Sequence, residues 1–208
     1  YNIGLTAGIE STACKAEWIE GLNRMNMNWV SSTFAKKTFE SISFDKQDKK
    51  TNQIIGKVKL EKPVNVIFEG VDLGTYKPLK PSEVKSIDLK NIKEDFCYLF
   101  VGHWMQGDHG HDRKNVGVLI KSFYDTFKTG MGKKPALILK SSMGVASYIS
   151  RDSILDKIKR IKDTYGDVKL PNIYLISGEF DDSEMNELYN HPKVKAMVSF
   201  TKGEGFGR

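Results

Sequence analysis

Short apolar, β-prone runs alternate with helical spacings along most of the chain. Residues 3–9, 28–32 and 64–69 read as strands, and residues 17–24 and 34–41 between them as helices. A stretch with Pro78 and Pro81 and little apolar periodicity follows, and residues 76–94 read as a linker. A second alternation begins at Cys97, where Cys-Tyr-Leu-Phe-Val is apolar at every position and ends on Gly102, the pattern of a strand buried on both faces. Val116, Leu119, Ile120, Phe123 and Phe127 then mark one face of a helix. Residues 136–139 and 173–176 give two further strands, and Ile154, Leu155, Ile158 and Ile161 a helix between them with Ser150 as its expected N-cap. Asp181 and Glu184 have capping-box spacing ahead of a short helix through Met185, Leu188 and Tyr189. Residues 194–200 form a last strand, and 201–208 a glycine-rich loop.

Strands and helices in strict alternation, joined by short loops, predict an α/β fold of open, doubly wound parallel sheets with right-handed crossovers. Ligands of such sheets bind beyond the carboxyl ends of the strands. That rule puts Gly102 onward, Ser141 onward, Ser177-Gly178-Glu179 and Thr201 onward on one rim.

Composition changes this picture little. Of the 208 residues 39% are hydrophobic and 28% charged, which excludes a disordered chain, and no apolar run approaches a membrane span. Two distant cysteines, Cys14 and Cys97, fit a reducing cytoplasm better than a disulfide-stapled secreted domain. The net charge of +6 is concentrated in two places: Lys46, Lys49, Lys50, Lys57, Lys59 and Lys62, and the helix bearing Lys157, Lys159, Arg160 and Lys162. Both read as solvated surface, with peripheral attraction to an anionic membrane as the alternative. Neither is interleaved with aromatics, so no specific nucleic-acid partner is expected.

Candidate chemistry gathers in two clusters. After the strand ending at Gly102 come His103, Asp108, His109, His111, Asp112, Arg113, Lys114 and Asn115. Arg113 and Lys114 stand just ahead of a helix, where two cations and the first backbone N–H groups can face one anion together; the plain alternative is charges solvating a helix start. The histidines and aspartates are chemically competent metal ligands, but no second ligand group stands at a recognisable spacing elsewhere, so no metal is expected. The second cluster is Lys202-Gly203-Glu204-Gly205-Phe206-Gly207-Arg208. Its glycines allow close backbone approach to a ligand, and Glu204 can accept hydrogen bonds from sugar hydroxyls. It is neither a dinucleotide fingerprint nor a P-loop.

Taken in order, these segments resemble the retaining, GT-B-fold glycosyltransferases of the large "group one", family-four-like class. Residues 202–208 resemble the start of that family's Glu-x7-Glu motif. Phe100-Val-Gly followed by Arg113-Lys114-Asn115-Val-Gly-Val-Leu-Ile resembles its donor-phosphate motif. Val66-Ile-Phe-Glu-Gly-Val-Asp72 resembles the stretch that leaves the acceptor-side domain, and Val30-Ser-Ser-Thr-Phe-Ala-Lys-Lys the strand and helix before it.

The resemblance implies two Rossmann-like domains, both incomplete in this chain: residues 1–75 on the acceptor side, 76–94 as interdomain linker and 95–208 as donor-binding domain. A piece of this kind is expected to be unstable and inactive alone. The implied reaction moves a sugar from a nucleotide-diphosphate sugar to a glycan, lipid-linked or protein acceptor with retained anomeric configuration, needing no metal and no cofactor. Lys114 and Arg113 would neutralise the leaving diphosphate and Glu204 would contact the donor sugar. Gly102, His103, Gly203, Gly205, Phe206 and Gly207 would line the donor site. Gly178, Glu179 and Phe180 would lie near the nucleobase by their place in the fold. Many relatives carry Arg where this chain has His103, and Glu10 is the residue expected to face the acceptor. The alternative is a non-catalytic nucleotide-sugar or polyanion-binding module of the same fold.

Overall fold

The computed structural model describes residues 1–8, 11–105, 107, 110–130 and 132–204. It divides into two compact units, one built on Tyr1–Gly70 and joined by Gly203 and Glu204, the other Val71–Lys202.

The first unit runs β1 (Ile3–Thr6), α1 (Ala16–Asn23), β2 (Met27–Val30), α2 (Thr33–Ser41), β3 (Ser43–Gln47), β4 (Ile54–Lys59) and β5 (Val64–Val66). β1, β2 and β5 form a parallel sheet in that order. Ile19 and Leu22 of α1 and Ala35 and Phe39 of α2 are buried with Val30 and Val64, as their helical spacing requires. The Ser32 hydroxyl accepts the Ala35 amide at 3.0 Å and starts α2. Two expectations shift. β1 closes at Thr6 and β5 at Val66, shorter than the apolar runs suggest. The lysine-rich stretch read as polar surface contains the antiparallel hairpin β3–β4, whose turn is closed by the Asp48 carboxylate accepting the Lys50 and Thr51 amides. A ribbon that turns only Phe44 and Val58 toward the core shows too short a period-two signature to be read.

In the second unit a 3₁₀ turn (Pro81–Glu83) precedes β6 (Cys97–Val101), α3 (Val116–Phe127), β7 (Ala136–Lys140), α4 (Tyr148–Asp163), β8 (Ile173–Ile176), α5 (Asp182–Asn190) and β9 (Val194–Met197). All four strands are parallel, in the order β8-β7-β6-β9. The chain therefore steps outward from β6 to β7 to β8, then returns to the other side of β6. Leu99, Phe100, Leu137, Ile138 and Leu139 are fully buried because helices cover both faces of the central pair. α4 is capped by Ser147, whose side chain accepts the Ser150 amide at 3.1 Å, rather than by Ser150. The Ser150 hydroxyl instead accepts the Met143 amide at 2.7 Å and ties the preceding loop to the helix. Asp181 and Glu184 form the expected capping box of α5.

Residues 76–94, expected to connect two domains, pack as part of the second unit. Ile87, Leu89 and Ile92 are buried with Leu99, Ala136, Ile138 and Leu188. The segment has almost no ladder partners, so side chains of α5 satisfy its backbone. Asn186 and Asn190 bond the main chain of Lys77 and Leu79. One Glu187 oxygen accepts the amides of Lys85 and Ser86 at 2.7 and 2.6 Å, and the Lys193 amine donates to the Ile92 carbonyl. Among the described residues no helix is long and apolar enough to cross a membrane.

Candidate functional site

The strand order reverses between β6 and β9, and the loops leaving those two strands part at that point. In an open parallel sheet this crevice is where a ligand finds main-chain groups on both sides.

β6 ends at Val101, and Gly102 turns the chain at φ +152°. A Cβ there would lie 3.2 Å from Phe100 Cζ and 3.6 Å from Lys114 Cε. The Lys114 stem thus crosses directly over the end of β6. The loop then follows the neighbouring strand: the Trp104 amide donates to the Ser142 carbonyl at 2.9 Å, and His103 Nδ1 lies 2.8 Å from Ser142 Oγ. The Trp104 ring is buried, with the Lys157 amine 5.0 Å from its centroid.

At the loop's far end Asp112 is 2% exposed, and its Oδ2 accepts the Val116 amide at 2.8 Å. That contact puts negative charge at the positive end of α3 and caps it. Asn115 sits in the left-handed region at φ 51°, a conformation Asn tolerates better than most residues. This turn swings Arg113 and Lys114 out ahead of the helix.

The chain leaving β9 is stitched to the same loop. Asn115 Nδ2 donates to the Phe200 carbonyl at 2.9 Å, the Lys202 amide to the Arg113 carbonyl at 2.9 Å and the Lys202 amine to the Gly110 carbonyl at 2.6 Å. On the other flank the Lys140 amine, at the end of β7, donates to the Gly178 carbonyl and lies 4.3 Å from the Phe180 ring centroid. Burial pushes the Lys140 amine below the ordinary lysine range, and Glu179 and Glu184 oppose that shift.

Buried polar atoms concentrate here as well. Among the described residues five buried side-chain nitrogen or oxygen atoms have no partner, and Trp104 Nε1, Asp112 Oδ1, Asn115 Oδ1 and Ser141 Oγ belong to this rim. Buried groups of this kind are normally satisfied, by protein, water or ligand. Arg113, Lys114, Lys140 and Lys202, with the hydrogen-bonding groups of the same rim, suit a multiply charged anion carrying a polar body. A cleft of about 570 Å³ at the amino ends of β6 and β7 is lined by Phe96, Tyr98 and Phe127 with Lys93, Lys133 and Lys134, whose charge Glu94 and Asp95 offset in part, and it lies at the opposite ends of the strands from this rim.

The structure therefore brings together Gly102, His103, Arg113 and Lys114, and places Gly178, Glu179 and Phe180 along the same strand ends. Gly203 and Glu204 group with the first unit, so the second unit's own contribution ends at Lys202. Glu10, Gly205, Phe206 and Gly207 lie outside the described residues. Asp112, read among the metal-competent side chains, is occupied as the cap of α3, while Asp108 and His109 lie outside the described residues. Among the described residues no group of His, Cys, Asp and Glu is arranged to hold a metal. Sequence reasoning missed Lys140; its one signal is a cation closing an otherwise apolar strand, Ala-Leu-Ile-Leu-Lys.

No protein-family model and no curated protein matches the chain. Solved structures do. One described as trehalose-6-phosphate from E. coli bound with UDP-2-fluoro glucose is 14% identical at TM-score 0.47, covering 89% of this chain and 42% of that one. A trehalose-6-phosphate synthase, OtsA, is 14% identical at TM-score 0.49, covering 89% and 41%. An apo structure of OtsA is 14% identical at TM-score 0.46, covering 83% and 39%. The chain thus spans about two fifths of the structures it matches. At this level of likeness, substrate and activity have to be read from the chain's own residues.

Proposed function

We propose that this chain carries the donor-binding unit, with part of the acceptor-side unit, of a retaining glycosyltransferase of GT-B type. It moves a sugar from a nucleotide-diphosphate sugar to a glycan, lipid-linked or protein acceptor. The observation that carries this reading is the Lys114 stem lying over Gly102 where the strand order reverses, with Arg113 beside it and its carbonyl held by Lys202.

A diphosphate seated there meets two side-chain cations, Arg113 and Lys114, while Asp112 already caps α3. As the bond between sugar and diphosphate breaks, negative charge grows on the leaving phosphate, and donors already in place stabilise it without reorganising. Arg113 and Lys114 do the work that a metal ion does in other transferases, so donor binding is expected to persist in chelator. Phe180 and Gly178, with Lys140 holding the strand end, form the flank for the nucleobase. Glu204 accepts hydroxyls of the donor sugar.

Calorimetry with UDP- and GDP-sugars tests the reading. One nucleotide sugar should bind, and Lys114→Ala should weaken it by roughly 10- to 100-fold, the worth of a charge-assisted hydrogen bond. Glu204→Ala should weaken the nucleotide sugar while leaving the bare nucleoside diphosphate unchanged. Absence of binding for every nucleotide sugar, or indifference to Lys114→Ala, would sink the proposal.

A further inference from the structure

Among the described residues, the hairpin β3–β4 is anchored to the first unit's core at its base. Phe44 and Val58 pack against the first unit's core, and Asn23 at the end of α1 bonds the Lys59 carbonyl and the Glu61 amide at 2.8 Å. Beyond that base, residues 46–57 are exposed except for half-buried Asp48. Two large aliphatic side chains stand in this exposed part: Ile54 is 61% and Ile55 58% exposed. The strand pairing shifts at this point, Lys46 facing Gly56 and Gln47 facing Ile54, which leaves Ile55 as the extra residue of a bulge.

Cations surround the pair. Residues 43–62 hold Lys46, Lys49, Lys50, Lys57, Lys59 and Lys62 against Asp45, Asp48 and Glu61. The Asp48 carboxylate is engaged by the turn. Arg24 continues the basic surface onto α1, with Glu20 and Glu61 at its edge.

The geometry points to this hairpin as a docking element for an anionic lipid surface, with Ile54 and Ile55 entering the headgroup boundary and the lysines meeting lipid phosphates. An aliphatic pair is of no use to a purely ionic partner, and an exposed pair costs solubility unless something covers it. Lysine stems extend along an apolar layer while their amines stay with the phosphates. Nucleic acid fits less well: Phe44, the one aromatic residue of this stretch, is turned into the core, leaving no ring for bases to stack on. A second copy pairing edge to edge is opposed by Lys46, Lys57 and Lys59, because charged residues along a free strand blunt such addition.

Flotation of the full chain with vesicles tests the assignment. Vesicles containing roughly 30% phosphatidylserine should bind the chain at least about tenfold more tightly than neutral phosphatidylcholine vesicles. Lys49→Gln and Lys50→Gln should each weaken binding by about fivefold. Ile54→Ser with Ile55→Ser should weaken it by about tenfold without altering the circular dichroism spectrum, since neither side chain supports the core. Failure to bind anionic vesicles overturns the proposal. So does binding that depends on the lysines but not the isoleucines, the signature of a soluble polyanion site, or loss of the isoleucine effect together with a concentration-dependent dimer. Donor calorimetry is independent of all these outcomes.

Discussion

Gly102 links stability to the candidate site in one residue. Its φ of +152° is strained for any residue with a Cβ, and that Cβ would press on Phe100 and touch the Lys114 stem. Gly102→Ala should therefore cost about 1–3 kcal/mol in urea unfolding. Any loss of donor binding should come through the crowded Phe100 and the strained turn rather than through Lys114, whose stem such a Cβ only touches. Asp112→Ala removes the acceptor of the Val116 amide and should cost about 1–2 kcal/mol. Asp112 also shows where residue-level reading stops. Its sequence neighbours made it a candidate ligand, whereas its use as a cap depends on a loop conformation set by Asn115. The place of Lys114 just ahead of α3 was legible because motif and helix start coincide. Lys140 was not, because its role comes from Gly178 and Phe180, which follow the neighbouring strand.

Elements buried on both faces were the easiest to read. β6 and β7 are continuous apolar runs, and burial between two helical layers admits little else. The hairpin β3–β4 and the segment around Ile87, Leu89 and Ile92 escaped for opposite reasons. The first has too few buried positions to show a period, and the second buries three residues without adopting one. Caps divide similarly: Ser147 and Ser150 are both serines near the start of α4, and only geometry assigns their roles. Ser147→Ala should cost about 1 kcal/mol as a lost cap. Ser150→Ala leaves the Met143 amide without its acceptor and should cost about 1–3 kcal/mol. Urea midpoints of the two variants check both values.

Glu187 gives the segment on α5 a pH dependence. The amides of Ser86 and Lys85 hold its carboxyl below the ordinary glutamate range, with burial opposing them. A carboxyl depressed in the folded state stabilises that state fully above its unfolded pKa, near 4.5, and the contribution disappears as pH falls through the lower folded value. The protection of the Lys85 and Ser86 amides against hydrogen exchange, measured relative to the intrinsic rate at each pH, should therefore fall on acidification below about 4.5, and Glu187→Gln should flatten that response.

At the scale of the molecule, the two units carry one cysteine each, Cys14 and Cys97. Cys97 is wholly buried, and burial reinforced by Glu94 pushes its thiol up to about 11. Cys14 is partly exposed, with its thiol raised by burial alone. A thiol reagent at neutral pH should label Cys14 first and Cys97 only as the second unit opens, because the thiolate is the reactive form. The denaturant dependence of the slow phase then measures that unit's unfolding separately. Equal labelling rates in the native chain would show that β6 is not held as described.

The way residues 71–94 are fastened to α5 decides where the second unit can be cut from its neighbour and transplanted. Its first strand suggests an incision just before Cys97. That cut would discard Ile87, Leu89 and Ile92, three of the eight buried residues of one core cluster, and strip the Glu187 carboxylate of its amides. The excised piece would carry an oily furrow beside α5, over Leu99, Ala136 and Ile138, and would be expected to clump. Begun at Val71, the same piece brings its own cover.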